Sequence, residues 1–301
     1  MLNALLLARR NILLYLRDKT GVFLSFLSVI ILVVLYALFI FQLNLNGITD
    51  ALNKEGITPV ERDVSYFINV WVFAGIVMVA TVTTGLGGLV SYVDDRVSGR
   101  FMEFIVMPVQ RWQIVAGYYL SSLTVAFSMG SFALWGGWGV IRLMEGQAPN
   151  IGQIVQAWGW AFVCAAGFAA FNAMMVTFCS TIGSFVTLST IMGGMIGFLA
   201  AAYIPENMMP TGVVTFINCL PFAQAAALPR RALATQALDQ AAQQSDVFIR
   251  GLRKAYGFDL QVGSGDAAIV TPAWLSWGML VALIVICGTI ATVQLHRRIG
   301  R

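Results

Sequence analysis

The chain has 301 residues, of which 58% are hydrophobic and only 11% are charged, and its formal net charge is +4. A soluble domain carries roughly 25% charged residues, so this composition cannot cover a surface that faces water on all sides. Together with a mean hydropathy of +0.80, it indicates an integral membrane protein and excludes a soluble two-domain enzyme.

The first 19 residues predict a helix that lies in the membrane surface. Asn3, Arg10 and Arg17 recur every seven residues on one face, whereas Leu5 and Leu16 share another face. A helix with one basic and one apolar face favours the boundary between lipid and water. A basic segment that only anchors the chain at the cytoplasmic side would contain the same residues, so both interpretations stay open.

Six segments are apolar and long enough to cross a bilayer, which takes about 20 residues. The predicted spans are residues 22–43, 67–93, 113–141, 154–179, 184–204 and 273–296. None of these windows contains Lys, Arg, Asp or Glu, so every charge falls in a connection. The sequence therefore predicts an all-α integral membrane protein with six transmembrane helices, forming a single domain over residues 1–301.

The connection between spans two and three, residues 94–111, predicts a short amphipathic helix. Its apolar residues fall on one helical face: Val97, Phe101, Phe104 and Ile105. Arg96, Arg100 and Glu103 form a charged stripe beside it, with Arg100 and Glu103 at ion-pair spacing, and Pro108 ends the helix. Such a helix lies on lipid or docks into a groove of another protein, and the pattern alone favours neither.

The segment between spans five and six, residues 205–272, is too long for a simple connection. Residues 213–228 are apolar but are interrupted by Pro221 and followed by Pro229, which predicts a re-entrant or interfacial helix that ends there. Residues 230–258 are rich in Ala and Gln and are helix-prone. The sequence predicts an outer re-entrant and cap region, and a solvated cap is the simplest interpretation of its second part.

The distribution of charge predicts the orientation. The N-terminus, the 94–111 connection and the C-terminal tail carry ten basic and four acidic residues, whereas the other side carries eight basic and ten acidic residues. Basic residues collect in the short cytoplasmic segments beside spans. We therefore expect a multi-pass membrane protein with both termini in the cytoplasm.

Several function classes lack their chemistry in this chain. None of the three lysines follows a glycine, so the phosphate-binding G-x-x-x-x-G-K-[ST] loop is absent. No predicted span carries the acid that an ion-coupled carrier uses, and no span offers a nucleophile and base. The single His296 has no Cys or His neighbour, so we expect no metal site. We expect no catalytic residues and no nucleic-acid partner.

Small residues mark positions where helix backbones can approach each other. Span five contains Gly193 and Gly197, four residues apart, a spacing typical of close helix contacts. The sequence leaves open whether this face packs within one subunit or against a second subunit. The residues that line a substrate pathway stay unknown.

Four stretches, in order, resemble the permease subunit of ABC-2 type export transporters. They are RRNILLYLRDKTGVFLSFLSVIILVVLYALF (9–39), TTGLGGLVSYVDDRVSGRFMEFIVMPVQRWQIVAGY (83–118), LPFAQAAALPRRAL (220–233) and TPAWLSWGMLVALIVICGTIATVQLHRRIG (271–300). They resemble the family's interfacial helix with its first span, its coupling helix between spans two and three, its outer Pro-Phe segment, and its last span with a basic tail. The resemblance covers essentially the whole chain.

The resemblance implies that two permease subunits work with two separate cytoplasmic ABC ATPase subunits, which would bind ATP and Mg²⁺. It places the ATPase contact at the coupling helix and at the end of the interfacial helix: Arg96, Gly99, Arg100, Glu103, Phe104, Pro108, Arg17 and Asp18. It also favours docking on an ATPase over lying on lipid for residues 97–105. Because spans one and five form the family's dimer contact, Gly193 and Gly197 are candidates for the dimer interface.

The sequence is therefore interpreted as a permease subunit without cofactors of its own that exports an amphipathic drug or lipid-like substrate. Its expected partners are an ABC ATPase subunit, a second permease subunit and membrane lipid. A non-transporting membrane anchor or assembly subunit that recruits a cytoplasmic partner is the alternative. An ion-coupled carrier is a third interpretation.

Overall fold

The computed structural model describes residues 2–36, 41–54, 56, 58–101, 103, 109–243, 245–263 and 269–299. The α-helices of these ranges are α1 (Leu2–Arg17), α2 (Lys19–Leu35), α3 (Phe41–Lys54), α4 (Glu61–Gly87), α5 (Val90–Val97), α6 (Arg111–Glu145), α7 (Ile151–Phe178), α8 (Ile182–Leu199), α9 (Thr211–Asn218), α10 (Pro221–Ala241), α11 (Asp246–Ala255) and α12 (Ala273–Ile299). A 3-10 turn lies at Glu206–Met208, and strands β1 (Gln261–Val262) and β2 (Ile269–Val270) pair antiparallel.

The prediction of an all-α membrane protein is confirmed. Five helical stretches of the described chain are long and apolar enough to cross a membrane: Glu61–Val97, Arg111–Glu145, Ile151–Phe178, Ile182–Leu199 and Trp274–Gln294. They correspond to predicted spans two to six. The first predicted span, 22–43, contains most of α2 and the beginning of α3, and residues 37–40 between them lie outside the described residues.

Helix α4 lies at the centre of the bundle, where it packs against α6, α7 and α10. Within its most apolar window, 83% of the residues are buried, compared with 17% for α8. A helix that is apolar on all sides is stable where it is surrounded by other helices or by lipid. Helix α4 has protein neighbours on most sides, and α8 leaves most of its surface open.

The prediction of a solvated cap over residues 230–258 is wrong for α10. This helix does not end at Pro229 but continues through it to Ala241, and most of its side chains are buried. Proline removes one backbone donor and leaves the carbonyl four residues earlier without its helical partner. Here the Cys164 thiol of α7 lies 3.7 Å from the Ala225 carbonyl oxygen. The many alanines of α10 let it approach α4, α7 and α12 closely.

The re-entrant character predicted for this region corresponds to a sharp bend. Helices α9 and α10 are separated by a two-residue break and meet at 83°, and together they are apolar enough to count as one broken span.

The residues after α11 pack onto α4. Trp71 of α4 donates a hydrogen bond from Nε1 to the Tyr256 carbonyl oxygen at 2.8 Å. The ring of Phe67 packs edge-on against Tyr256, 5.2 Å between centroids. This part of the outer segment is therefore packed onto span two.

Candidate functional site

The segment after span two consists of a short helix followed by a turn at a glycine. Helix α5 follows α4 after a short break at Gly88 and Leu89 and ends at Val97. The Ser98 hydroxyl donates to the Asp94 carbonyl oxygen at 2.6 Å, and Gly99 has a φ of +77°. A residue with a side chain is strained in that left-handed conformation. Gly99 thus directs the chain into the stretch that carries Arg100 and Glu103.

Asp95 is the centre of a buried polar cluster that sequence reasoning treated only as a charge of the connection. Its side chain is fully buried. Arg10 of α1 donates to both carboxylate oxygens, at 2.6 and 2.8 Å, and Arg100 donates at 2.9 Å. The Tyr118 hydroxyl of α6 donates to Oδ2 at 2.7 Å. Hydrogen bonds to an ionised group are the strong ones, so Asp95 joins residues 96–103, the predicted coupling segment, to α1 and α6.

Arg96 lies on the next position of the same helix and binds the end of span four. Its Nη1 donates to the carbonyl oxygens of Cys179 and Thr177, at 2.5 and 3.3 Å. The last carbonyl groups of a helix lack intrahelical partners and carry partial negative charge. A guanidinium there satisfies them, so the structure gives Arg96, a predicted ATPase contact, an intramolecular role as well.

The predicted apolar stripe of the coupling helix is divided by the fold. Phe101 is buried, with its ring 5.3 Å from Tyr92 and 6.0 Å from Tyr118, whereas Val97 is 51% exposed. The prediction that these residues form a single docking face is therefore wrong, because the ring of Phe101 packs inside the protein. The other predicted members of this face, Phe104 and Ile105, lie outside the described residues, as does Pro108.

The predicted pairing of Arg100 with Glu103 also differs from the structure. Arg100 binds Asp95 instead, because the turn at Gly99 brings its guanidinium back towards α5. Glu103 is exposed. Glu103 is thus exposed on the surface of the coupling segment, while Arg100 binds the segment to α5 through Asp95.

Helix α1, which the sequence predicts to lie in the membrane surface, packs against the bundle with one side. Its residues Ala4, Ala8 and Asn11 are buried, and Leu7 lies so close to Gly117 of α6 that a Cβ there would be 2.8 Å from its side chain. Arg17, the last residue of α1, is exposed. Asp18 caps α2, since its Oδ1 accepts a hydrogen bond from the Gly21 amide at 2.9 Å. Of the two predicted ATPase contacts at this end, Arg17 is exposed and Asp18 is the N-cap of α2.

The sequence matches the family described as ABC-2 family transporter protein over residues 47–293, most of the chain. The chain belongs to the ABC-2 transporter family. It is therefore a membrane component of an ABC transporter, and the family implies an ATPase partner. No curated protein matches the chain closely enough to count as a relative. The family resemblance read from the four sequence stretches is confirmed.

The hydroxyls inside this ABC-2 permease hold helices together. Ser121 and Ser122 of α6 donate to the carbonyl oxygens of Gly88 and Gly85, at 3.1 and 2.8 Å. A Cβ at Gly88 would lie 2.9 Å from the Ser122 Cα. Asn172 of α7 donates to the Val82 carbonyl oxygen at 2.9 Å. These groups are buried at helix crossings, so they do not line an open pathway.

The two candidate interface glycines of the permease lie in different surroundings. Gly193 is exposed, and a Cβ there would meet nothing within 4 Å. Gly197 is buried under the ring of Tyr203, which would clash with a Cβ. The packing of Gly197 is intramolecular, whereas Gly193 lies on the open side of α8. The dimer interface itself stays a prediction.

A second buried charged group lies at the other end of the bundle. Arg230 of α10 is fully buried, its guanidinium lies 4.9 Å from the Trp71 ring centroid, and it donates to the Ala200 and Ala201 carbonyl oxygens at the end of α8. Glu206 is 7% exposed and accepts from Asn218 at 3.1 Å. Burial raises the pKa of Glu206, and the Asn218 hydrogen bond and the Arg230 charge oppose that rise. Sequence reasoning missed this group, because the pair Arg230–Arg231 looks like part of a solvated helix.

Proposed function

We propose that this chain is the transmembrane subunit of an ABC exporter of the bacterial inner membrane. It works as a dimer and moves an amphipathic substrate, a drug or a lipid-like molecule. The energy comes from ATP and Mg²⁺ bound to a separate cytoplasmic ATPase subunit. The observation that carries the proposal is the polar cluster at Asp95, which joins the coupling segment to α1 and α6.

The cluster supports a mechanical role for residues 96–103. Asp95 is bound to α1 through Arg10 and to α6 through Tyr118, and Arg96 is bound to the end of α7. A partner that displaces the segment would therefore displace α1, α6 and α7 together, because charge-assisted hydrogen bonds connect them. Closure of two ATPase subunits is a displacement of this kind.

Exposed residues of the same segment supply the docking surface in this proposal. Val97 and Glu103 are exposed beside the buried cluster. A short apolar and acidic surface fits a groove on a partner that carries basic residues at its rim. Arg17 at the end of α1 adds a positive charge to this side of the molecule.

The open face of α8 supports dimer formation. This helix is the least buried of the five candidate spans, and Gly193 lies on its exposed side. Small residues on an open face let two helices approach closely in a membrane. We propose that α8, with α2, contacts the second permease subunit.

The test is a charge reversal at Glu103 in the reconstituted complex with its ATPase subunit. We expect Glu103→Lys to lower substrate-stimulated ATP hydrolysis and transport severalfold, because a rim charge of the wrong sign weakens docking. Membrane insertion and the amount of folded protein should not change. The matched control is Asp50→Lys, an exposed acid of α3 on the opposite side. Equal activity in the two variants would remove the docking assignment.

The same preparation separates this function from its alternatives. An anchoring subunit would bind the ATPase subunit and leave its hydrolysis rate unaffected by any compound. An ion-coupled carrier would transport without ATP. Compounds that stimulate hydrolysis by the reconstituted wild-type complex identify the substrate class.

A further inference from the structure

A narrow apolar slot runs between α2, α4 and α6. Its volume is about 380 Å³, and it extends along α2 from Ser25 to Val34 and along α4 from Thr84 to Phe73. At 1.5 Å per helical residue, the slot is roughly 15 Å long and runs parallel to the helices. This is about the thickness of the hydrocarbon core of one leaflet, since a whole bilayer core is about 30 Å thick.

The two hydroxyl groups in the wall of the slot already donate hydrogen bonds to their own helices. The Thr84 hydroxyl donates to the Ala80 carbonyl oxygen at 2.6 Å, and the Ser25 hydroxyl donates to the Gly21 carbonyl oxygen at 2.9 Å. The remaining lining side chains are apolar. A polar ligand would lose its hydrogen bonds to water here without replacement, so the slot suits a hydrocarbon.

The slot has room for an alkyl chain along its whole length. Carbon atoms of neighbouring groups pack about 4 Å apart, so one alkyl chain needs a cross-section of roughly 16 to 20 Å². A volume of about 380 Å³ over roughly 15 Å corresponds to a cross-section of at least about 25 Å². The slot is therefore wide enough for an alkyl chain.

The slot is continuous with the outward-facing apolar surface of the spanning helices. Ile30 and Val34 of α2 and Phe132 and Val140 of α6 line it, and these side chains are 57%, 49%, 62% and 42% exposed. Exposed apolar side chains on a spanning helix face lipid wherever a second subunit does not cover them. The ring of Phe26 packs edge-on against Phe132 at 4.7 Å and holds α2 to α6 at this mouth. A chain can therefore enter from the bilayer.

A basic residue, Lys19, precedes the slot along α2 and lies on the same face of that helix. Lys19, Phe26 and Val33 are spaced by seven residues, which places them on one side of the helix. Lys19 is exposed and precedes Ser25 by six residues, or roughly 9 Å along the axis. An ammonium group at the end of an acyl-chain slot complements the phosphate of a lipid headgroup.

We propose that the slot between α2, α4 and α6 binds one acyl chain of a bilayer phospholipid whose anionic headgroup lies against Lys19. The occupant is a structural lipid of the permease. Its binding requires neither the ATPase subunit nor transport, so the proposal can fail or succeed independently of the proposed function.

Two neighbouring glycines of α6 provide the test. A Cβ at Gly136, which lines the slot, would meet nothing within 4 Å, and the same is true at Gly139, which does not line it. Gly136→Leu should fill the slot, whereas Gly139→Leu makes the same chemical change outside it. Val140→Phe, at an exposed lining position one helical turn further along α6, fills the same part of the slot if Gly136→Leu fails to fold.

The measurement is native mass spectrometry of the delipidated full chain titrated with phosphatidylglycerol or phosphatidylcholine of identical acyl chains. We expect wild type and Gly139→Leu to bind a first phosphatidylglycerol with the same affinity, and Gly136→Leu to bind it at least about tenfold more weakly. Lys19→Gln should lower the preference for phosphatidylglycerol severalfold, while Lys54→Gln, an exposed lysine of α3, should not.

Three outcomes would overturn the proposal. They are equal lipid affinity in Gly136→Leu and wild type, an unchanged headgroup preference in Lys19→Gln, and an altered monomer–dimer ratio in Gly136→Leu without any change in lipid binding. The last outcome would assign the slot to a contact between subunits.

Discussion

Replacing Asp95 by Asn tests whether the buried cluster holds the coupling segment to the bundle. The substitution keeps the shape of the side chain but removes the charge that accepts four short hydrogen bonds from Arg10, Arg100 and Tyr118. Removing one partner of a fully buried ion pair costs about 3 to 5 kcal/mol. The side chains of Arg10 and Arg100 are 33% and 48% exposed, so water can solvate them again. We therefore expect Asp95→Asn to lower the free energy of unfolding by about 2 to 3 kcal/mol.

The geometry also predicts how this loss divides between the two arginines. Arg10 binds Asp95 with both of its terminal nitrogens and is the more buried, whereas Arg100 donates a single bond at 2.9 Å. Double-mutant cycles of Asp95→Asn with Arg10→Gln and with Arg100→Gln isolate each pair. We expect a coupling energy of about 1.5 to 3 kcal/mol for the pair with Arg10. The half-exposed Arg100 should couple by less than about 1 kcal/mol.

The assay is the free energy of unfolding in mixed detergent micelles, followed by tryptophan fluorescence. Asp94→Asn is the matched control, because this neighbouring acid forms no ion pair within the described part of the chain. It should change stability by no more than about 0.5 kcal/mol. Equal losses in Asp95→Asn and Asp94→Asn, or a larger coupling energy for Arg100 than for Arg10, would refute this account of the cluster.

Three further predictions concern α8 and the outer segment. Gly193→Leu should leave the subunit folded but lower the dimer fraction in gel filtration. Gly197→Leu should instead lower the thermal midpoint, because Tyr203 occupies the space that the new side chain would need. The reverse result would exclude Gly193 from the interface. Burial raises the pKa of Glu206, so the folded state binds its proton more tightly than the unfolded chain. The stability of wild type relative to Glu206→Gln should therefore fall as the pH rises from the ordinary value of about 4.5 through the raised pKa, and a pH-independent difference in thermal midpoint would contradict the burial. Arg250→Cys on the exposed side of α11, placed in a Cys219→Ser background because Cys219 is also exposed, should react with an impermeant maleimide in intact cells. Labelling only after lysis would reverse the proposed orientation.

Much of the fold was predictable because a bilayer imposes a simple requirement on the sequence. Each span must present about 20 residues without charge, and such windows can be read directly from the chain. Five of the predicted spans correspond to helices, and the family that the four stretches resemble is the family to which the chain belongs. The position of the coupling segment was predictable for the same reason, since it is a charged connection between two uncharged spans.

The partners of its side chains were not predictable. Arg10 and Asp95 are 85 residues apart, and Arg96 lies 83 residues from Cys179. Local spacing predicted a bond between Arg100 and Glu103, but the turn at Gly99 directs Arg100 to Asp95. Burial of a short helix face depends on which distant elements pack against it, and periodicity contains no information about that.

The outer segment illustrates the same division. Its two prolines predicted a broken apolar helix over residues 213–228, and its alanines predicted helix again from residue 230. Only the tertiary structure decided that α10 continues through Pro229 into the core, because α7 supplies Cys164 beside the carbonyl group that Pro229 leaves without a donor. The sequence by itself determined where the chain could cross a membrane, since that depends on composition along a single helix. The tertiary structure decided which charges are buried and what they bind, since those depend on contacts between helices.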